Sequence, residues 1–265
     1  MWSGLKVLKG DSEFVAHPAL ATDNPSEIGV ADYVVLATKS YDLEATIQQL
    51  SPCIDANTVL LPLLNGVDSK ERIEQILPNN LVLEGCVYII SRLSEPGVIA
   101  NTGNIQKLFF GLDSFTNPKL ELLESLFKEA GLEARQSQQI SPIIWEKFIF
   151  ISAIATATAY FNCNLGELVS NREKNKTVEL LVGELMQIAG KKKVIALDGL
   201  MEKTLKKMET MSPKATSSMH SDFISGKPNE LETLTHYVIS EGEKYGLPTP
   251  TYQKAYEALK NGYVN

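Results

Sequence analysis

The spacing of apolar positions changes character near residue 138. Before it, residues 33–38 (Tyr-Val-Val-Leu-Ala-Thr) make a continuous apolar run of strand length, the pattern of a strand covered on both faces. The stretch 42–50 follows with Leu43, Ile47 and Leu50 at helical spacing, and Pro52 ends it. A second buried strand is predicted over 58–64, stopped by Asn65-Gly66, then a helix over 69–77 and a third strand over 81–90. Strand and helix alternating in this way predict a parallel sheet with right-handed crossovers. Glu95-Pro96-Gly97 reads as a turn between strands, 105–111 as another strand, 117–130 as a helix and 132–137 as a last strand.

From Ser141 on the strand signal disappears. Residues 143–161 are almost wholly apolar, broken by Glu146-Lys147 and a few small residues. That length would suit a membrane span, but the charged pair and the Thr/Ser/Ala-rich remainder predict the central helix of an all-helical domain. Further helices are predicted over 174–192, 201–208, 229–245 and 251–261, with Gly246 as a C-cap and Pro248 and Pro250 barring continuation. The expected architecture is α/β: an incomplete Rossmann-type parallel-sheet domain over 1–138, then an all-helical domain over 139–265.

Composition narrows the function. A chain of 265 residues suits two domains. With 44% hydrophobic and 22% charged residues it has the balance of a folded globular chain. Lys+Arg number 25 against 32 Asp+Glu, a net charge of −7, so neither nucleic acid nor an anionic membrane is an expected partner. The start shows no basic segment followed by an apolar run, which predicts a cytoplasmic protein. Cys53, Cys86 and Cys163 lack paired spacing and read as reduced small hydrophobes; His17, His220 and His236 show no metal-ligand spacing, so no metal site is expected.

Several positions could carry chemistry. Lys147, among Phe148, Ile149, Phe150 and Ile151, either snorkels to the surface or is buried for a purpose, and a buried lysine passes its proton near neutral pH, as a general acid must. Thr38-Lys39-Ser40 follows the carboxyl end of a parallel strand, where ligands of open sheets bind; it also fits a solvated start of the next helix. Asn65-Gly66 has the same placement or is a simple turn. Ser217-Ser218 could be a helix cap, and Glu230 a first-turn carboxylate welcomed by the helix dipole.

The order of these residues resembles that of the ketopantoate reductase (2-dehydropantoate 2-reductase) family. The matching segments are Ala31-Asp32-Tyr33-Val34-Val35-Leu36-Ala37-Thr38-Lys39-Ser40, Leu63-Leu64-Asn65-Gly66-Val67 and Glu95-Pro96-Gly97-Val98 in the first half. In the second half they are Trp145-Glu146-Lys147, Leu165-Gly166-Glu167-Leu168, Ser217-Ser218-Met219, Asn229-Glu230-Leu231-Glu232 and Gly246-Leu247-Pro248-Thr249-Pro250. The resemblance implies a cytoplasmic, NADPH-dependent reductase of a small 2-oxo acid (2-dehydropantoate to pantoate, in pantothenate and CoA biosynthesis), with its active site in a cleft between the two domains. It implies Lys147 as the general acid and Glu230 beside the substrate hydroxyl and the nicotinamide ribose. Ser218 would hold substrate; Thr38, Lys39 and Asn65 would line the cofactor side, Asn65 reaching substrate as well.

Two departures shape the expectation. Where the family pattern carries asparagines four and eight residues past the lysine and before Gly-Glu-Leu, this chain has Ile151, Ala155 and Leu165, which favours a less polar 2-oxo acid; Asn162 and Asn164 are the candidates to compensate. The family also opens with a strand, a Gly-x-Gly-x-x-Gly turn and a helix that takes the pyrophosphate, whereas Met1-Trp2-Ser3-Gly4-Leu5-Lys6-Val7 resembles the stretch after the family's second strand. Roughly 30 to 60 residues are expected to be lacking, on the length of a βαβ unit. Such a sheet has an exposed edge, to be covered for instance by a second copy in a homodimer. The rival to the enzyme is a non-catalytic remnant serving as a dimerisation or binding module.

Overall fold

The computed structural model describes residues 4–103 and 105–262. These fall into two compact units. The first takes the described residues up to Thr38, with Asp42–Leu64 and Ser69–Ile140; the second takes Lys39–Tyr41, Asn65–Asp68 and the described residues from Ser141 on.

In the first unit the chain runs β1 (Leu5–Lys9), β2 (Ser12–Ala16), β3 (Tyr33–Leu36), α1 (Leu43–Gln49), β4 (Val59–Pro62), α2 (Ser69–Ile76), β5 (Leu81–Val82), β6 (Glu84–Tyr88), β7 (Ser91–Glu95), β8 (Val98–Asn101), β9 (Lys107–Gly111), α3 (Pro118–Glu129) and β10 (Ala134–Ser137). The expected parallel core is β3-β4-β5, with β3 outermost and Val35 on it 44% exposed. Strand β4 shows why its sequence is apolar without a break. Val59 and Leu61 join one core cluster with Leu83, Leu108, Phe110, Leu120 and Leu123, while Leu60, between them, points to another with Leu36, Leu43, Ile47 and Ile73.

One expectation for this unit needs correction, and one pair of strands is new. The strand predicted over 81–90 is two strands broken at Leu83: β5 pairs parallel with β4, whereas β6 pairs antiparallel with β9 in a separate sheet ordered β10-β9-β6. Gly85 suits the change of partner, because a Cβ there would lie 2.5 Å from the Pro62 carbonyl oxygen. Strands β1 and β2, which no apolar run announced, form a hairpin inside a four-stranded sheet ordered β2-β1-β8-β7. Strand β2 is exposed along its whole length and so carries no burial period in its sequence. The turn at Glu95-Pro96-Gly97 does join β7 to β8.

The second unit is helical: α4 (Ile140–Tyr160, its first residue counted with the other unit), α5 (Leu165–Ser170), α6 (Arg172–Lys192), α7 (Leu200–Thr210), α8 (Ser218–Ile224), α9 (Tyr237–Tyr245) and α10 (Pro250–Leu259). Helix α4 is its axis. By length and composition it could cross a membrane, but 67% of its most apolar stretch is buried in protein. Phe148, Ile149, Ala153, Ala157 and Ala159 sit at the centre of the largest core cluster, and Phe148 meets Trp145 and Tyr237 edge-on. Glu184 of α6, itself buried, accepts the Thr251 and Tyr252 N–H groups at 2.8 and 3.1 Å, so a carboxylate from one helix caps the open N-terminus of another.

The helix predicted over 229–245 is interrupted. Helical geometry starts at Leu231 and the segment Glu232–His236 is a π-turn, in which the Tyr237 N–H reaches five residues back to the Glu232 carbonyl. Gly66 packs against this segment with φ +107°, and a Cβ there would fall 2.7 Å from Thr233 Cγ2. Nearby, buried His220 lies between Thr216 Oγ1 (2.6 Å from Nδ1) and Asn162 Oδ1 (2.9 Å from Nε2). An amide oxygen only accepts, so Nε2 carries the proton and Nδ1 accepts from the Thr216 hydroxyl. Burial holds the imidazole below its ordinary pKa.

Two stability predictions follow from these contacts. Gly66→Ala should lower unfolding free energy by about 1–3 kcal/mol, and a Thr233→Ser background, which removes Cγ2 and keeps the hydroxyl, should recover part of that loss. Denaturant midpoints of the four-member cycle measure the coupling; additive losses would mean the methyl clash plays no part. For His220 the folded-state pKa lies below the unfolded value. Its contribution is therefore complete above about pH 6.5 and declines as pH falls below that. Thermal melts from pH 8 to 5 should show the wild type losing more stability over this window than His220→Gln.

Candidate active site

The second unit brings four of the expected site residues together: the buried carboxylate of Glu230, Lys39 and Asn65 beside it, and Lys147 one step further on. Glu230, 3% exposed, immediately precedes the helical turn at Leu231. Its carbonyl accepts the Leu234 N–H at 2.9 Å, and Asn229 Oδ1 accepts the Leu231 N–H, so the backbone is held at both sides while the side chain is free to turn away from the helix. The sequence placed Glu230 in the first turn; it stands one step earlier and makes side-chain contacts a dipole alone would not require.

Three groups meet that carboxylate. Asn65 Nδ2 donates to Oε2 at 3.3 Å, the Ser40 hydroxyl donates to Oε1 at 3.5 Å, and the Lys39 ammonium lies 3.9 Å from Oε2. Lys39 and Asn65 each follow a parallel strand by three residues, β3 ending at Leu36 and β4 at Pro62. Asn65 then links onward, its Oδ1 accepting from the Lys147 ammonium at 3.2 Å. A lysine can only donate and a carboxylate only accept, so the two partners fix which way the amide faces. Lys147 and Glu230 are thus joined through one amide.

Lys39 continues the chain of contacts to Asp222 of α8, at 3.1 Å. Burial pulls the Lys39 pKa down, but the hydrogen bond to Asp222 and the charges of Glu230 and Asp222 outweigh it and leave the ammonium above its ordinary value. Thr233, one residue into the π-turn, donates to Ser40 Oγ at 2.6 Å, and Ser40 is itself wholly buried. The hydroxyls therefore run in one direction, Thr233 to Ser40 to Glu230.

Ser218 and Thr38 stand apart from this chain of contacts. Ser218 opens α8 as an exposed residue one turn before Asp222 and on the same face. The capping role falls to Ser217, whose Oγ accepts the His220 N–H at 3.1 Å. Thr38 is exposed and belongs to the other unit. The two asparagines expected to compensate for lost amides have structural work: Asn162 bonds His220, and Asn164 caps α5 by accepting the Glu167 N–H. Ala155 and Leu165 are each 2% exposed within the apolar core, and Ile151 packs against it. Ser40, Thr233 and Asp222 are the participants that sequence reasoning left without a role; their partners lie 183 to 193 residues away, and no local pattern marks such a pairing.

The arrangement can hold an amine beside a hydrogen-bonding amide and a buried anion beside a second cation. That is a donor set suited to a polar, anionic ligand with a carbonyl or hydroxyl group.

Known proteins are similar to this chain along nearly its whole length. Residues 3–113 match the family model described as ketopantoate reductase PanE/ApbA, and residues 139–262 match the model for its C-terminal part. The 2-dehydropantoate 2-reductase of Porphyromonas gingivalis W83 superposes with a TM-score of 0.82 at 34% identity, over 97% of this chain and 82% of its own. The oxidoreductase YkpB of Bacillus subtilis is 29% identical over 235 residues, 88% of this chain and 78% of that one. The 2-dehydropantoate 2-reductase of Aquifex aeolicus is 26% identical, over 84% and 73%. Two sequence matches that together span both units, and a solved relative sharing a third of its residues, place this chain in the ketopantoate reductase family of oxidoreductases.

Proposed function

We propose that this protein reduces a small 2-oxo acid with NADPH, the reference reaction being 2-dehydropantoate to pantoate in pantothenate and CoA biosynthesis. The observation that carries the reading is the link Lys147–Asn65–Glu230, which joins a proton donor to a buried carboxylate through one oriented amide. The donor set suits the nicotinamide-ribose end of the cofactor: Glu230 can accept from a ribose hydroxyl, Asn65 can donate or accept, and Lys39 offers a positive charge, with Thr38 alongside. When bound, NADPH supplies hydride to the carbonyl carbon.

The chain's own residues do the rest. The substrate is an anion whose carbonyl oxygen gains negative charge as the C=O bond becomes C–O. A cationic Lys147 aimed at that oxygen stabilises the transition state more than the ground state, then delivers its proton to give the 2-hydroxy acid. Its proton is restored from water. Asn65 stands between the ammonium and Glu230, holding the amine by its Oδ1 while its Nδ2 holds the carboxylate. Glu230 takes the substrate hydroxyl, and Ser218, on the exposed side of α8, holds the substrate's polar end. A homodimer in the cytoplasm is the assembly and location that go with this reading.

A second reading concerns the substrate alone. Ile151, Ala155 and Leu165 stand where the family pattern has asparagines and offer no side-chain hydrogen bond, which favours a less polar 2-oxo acid.

Titrating NADPH while following nicotinamide fluorescence should give micromolar binding; no binding at millimolar concentration would refute the enzyme and leave the remnant. With turnover in hand, Lys147→Ala should lower kcat by about two to four orders of magnitude, and a near-normal kcat would remove the lysine from its role. Comparing kcat/KM for 2-dehydropantoate with that for an aliphatic 2-oxo acid of equal length decides between the substrates.

A further inference from the structure

Helix α4 presents two faces to the second unit. One carries Lys147. The other carries Ser152 and Thr156, one turn apart and both fully buried. Both reach the π-turn. Ser152 Oγ donates to the Leu234 carbonyl at 2.5 Å and lies 2.8 Å from the hydroxyl of Tyr252, while Thr156 Oγ1 lies 2.8 Å from Thr235 Oγ1.

Proton counting settles the direction. A carbonyl cannot donate, so the single Ser152 proton is committed to Leu234; the Tyr252 hydroxyl must then donate to Ser152. Tyr252 is wholly buried on α10, and burial keeps its hydroxyl protonated far above the ordinary tyrosine range. The order is Tyr252 to Ser152 to the Leu234 carbonyl, with every buried polar atom in it used.

The place of this contact matters because a π-turn holds one residue more than the α-helical turn it replaces. Downstream, Val238 and Ile239 of α9 are anchored in the core. If the π-turn relaxed to α, everything before it would rotate by about 100° and shift by about 1.5 Å. Glu230 and Thr233 are what lies before and within it, and they point at Asn65 and Ser40. Their aim depends on the extra residue staying where it is.

We propose that Ser152 and Tyr252, with Thr156 in support, are positioning residues: they latch the π-turn at 232–236 and so set the direction in which Glu230 meets Asn65 and, through it, Lys147. The kinetic consequence rests on the reductase reading above; the latch itself does not.

The test uses the full chain, with Ser152→Ala and Tyr252→Phe, and the side-chain amide resonance of Asn65 as the readout. Asn65→Asp identifies that resonance. Ser152→Ala should shift it and speed hydrogen exchange at the amides of 234–238 by roughly tenfold, the worth of about one hydrogen bond. Tyr252→Phe, which leaves the Ser152 to Leu234 bond in place, should do the same to a smaller extent and serves alone if Ser152→Ala does not fold. In turnover, Ser152→Ala should lower kcat more than it changes KM. An unmoved Asn65 resonance with unchanged exchange in a folded variant overturns the latch. A wild-type chain that shows no turnover refutes the reductase reading, while the resonance still decides the latch.

Discussion

A carboxylate at 3% exposure is the constraint around which the helical unit is arranged. Removing such a group from water costs several kcal/mol unless charges and donors surround it. Glu230 has an amide, a hydroxyl and an ammonium about it, and each comes from a segment that something else must hold. Lys39 is steadied by Asp222, Ser40 by Thr233, and Asn65 by Lys147 on its other side. The acid is the hub, and the residues that touch it have little freedom to be anything else.

Helix α4 serves two masters for the same reason. Its apolar residues make the core, and their continuity is what lets the helix stand through the centre of the unit. Lys147 meets Asn65, and the helix's three fully buried hydroxyls are each engaged: Ser152 with the Leu234 carbonyl, Thr156 with Thr235 and Thr158 with Ser217. Buried hydroxyls without partners would destabilise the core, so their presence on an oily helix marks places where another element is being held in register.

Much of this was legible in the sequence, and what was not has physical causes. The apolar run at 58–64 announced β4, which is covered on both faces, and the run at 33–38 announced β3 although Val35 on it is 44% exposed; family order singled out Lys39, Asn65, Lys147, Ser218 and Glu230 as one group. The hairpin of β1 and β2 went unread because β2 is exposed throughout and β1 is part-buried without alternation, so neither has a buried face to mark the period. The break at Leu83 depends on a change of partner strand, which only the assembled sheet defines. A π-turn has no composition of its own. Asn162 and Asn164 looked like spare amides because a cap and a bond to a buried imidazole are visible only in three dimensions. Ser218 shares its motif with the true cap, Ser217, and sequence does not say which of two adjacent hydroxyls turns inward.

The hub draws its partners from segments near residues 40 and 65 and its acid from residue 230, so the bonds that surround the acid span 165 and 190 positions. Closing loops of that length is slow and entropically opposed until much of the surrounding packing exists. The chemistry of this protein is therefore a late product of folding. During synthesis nearly the whole polypeptide must leave the ribosome before the acid can meet its amide, and a chain cut short before Glu230 would carry Lys39, Asn65 and Lys147 without the carboxylate that gathers them.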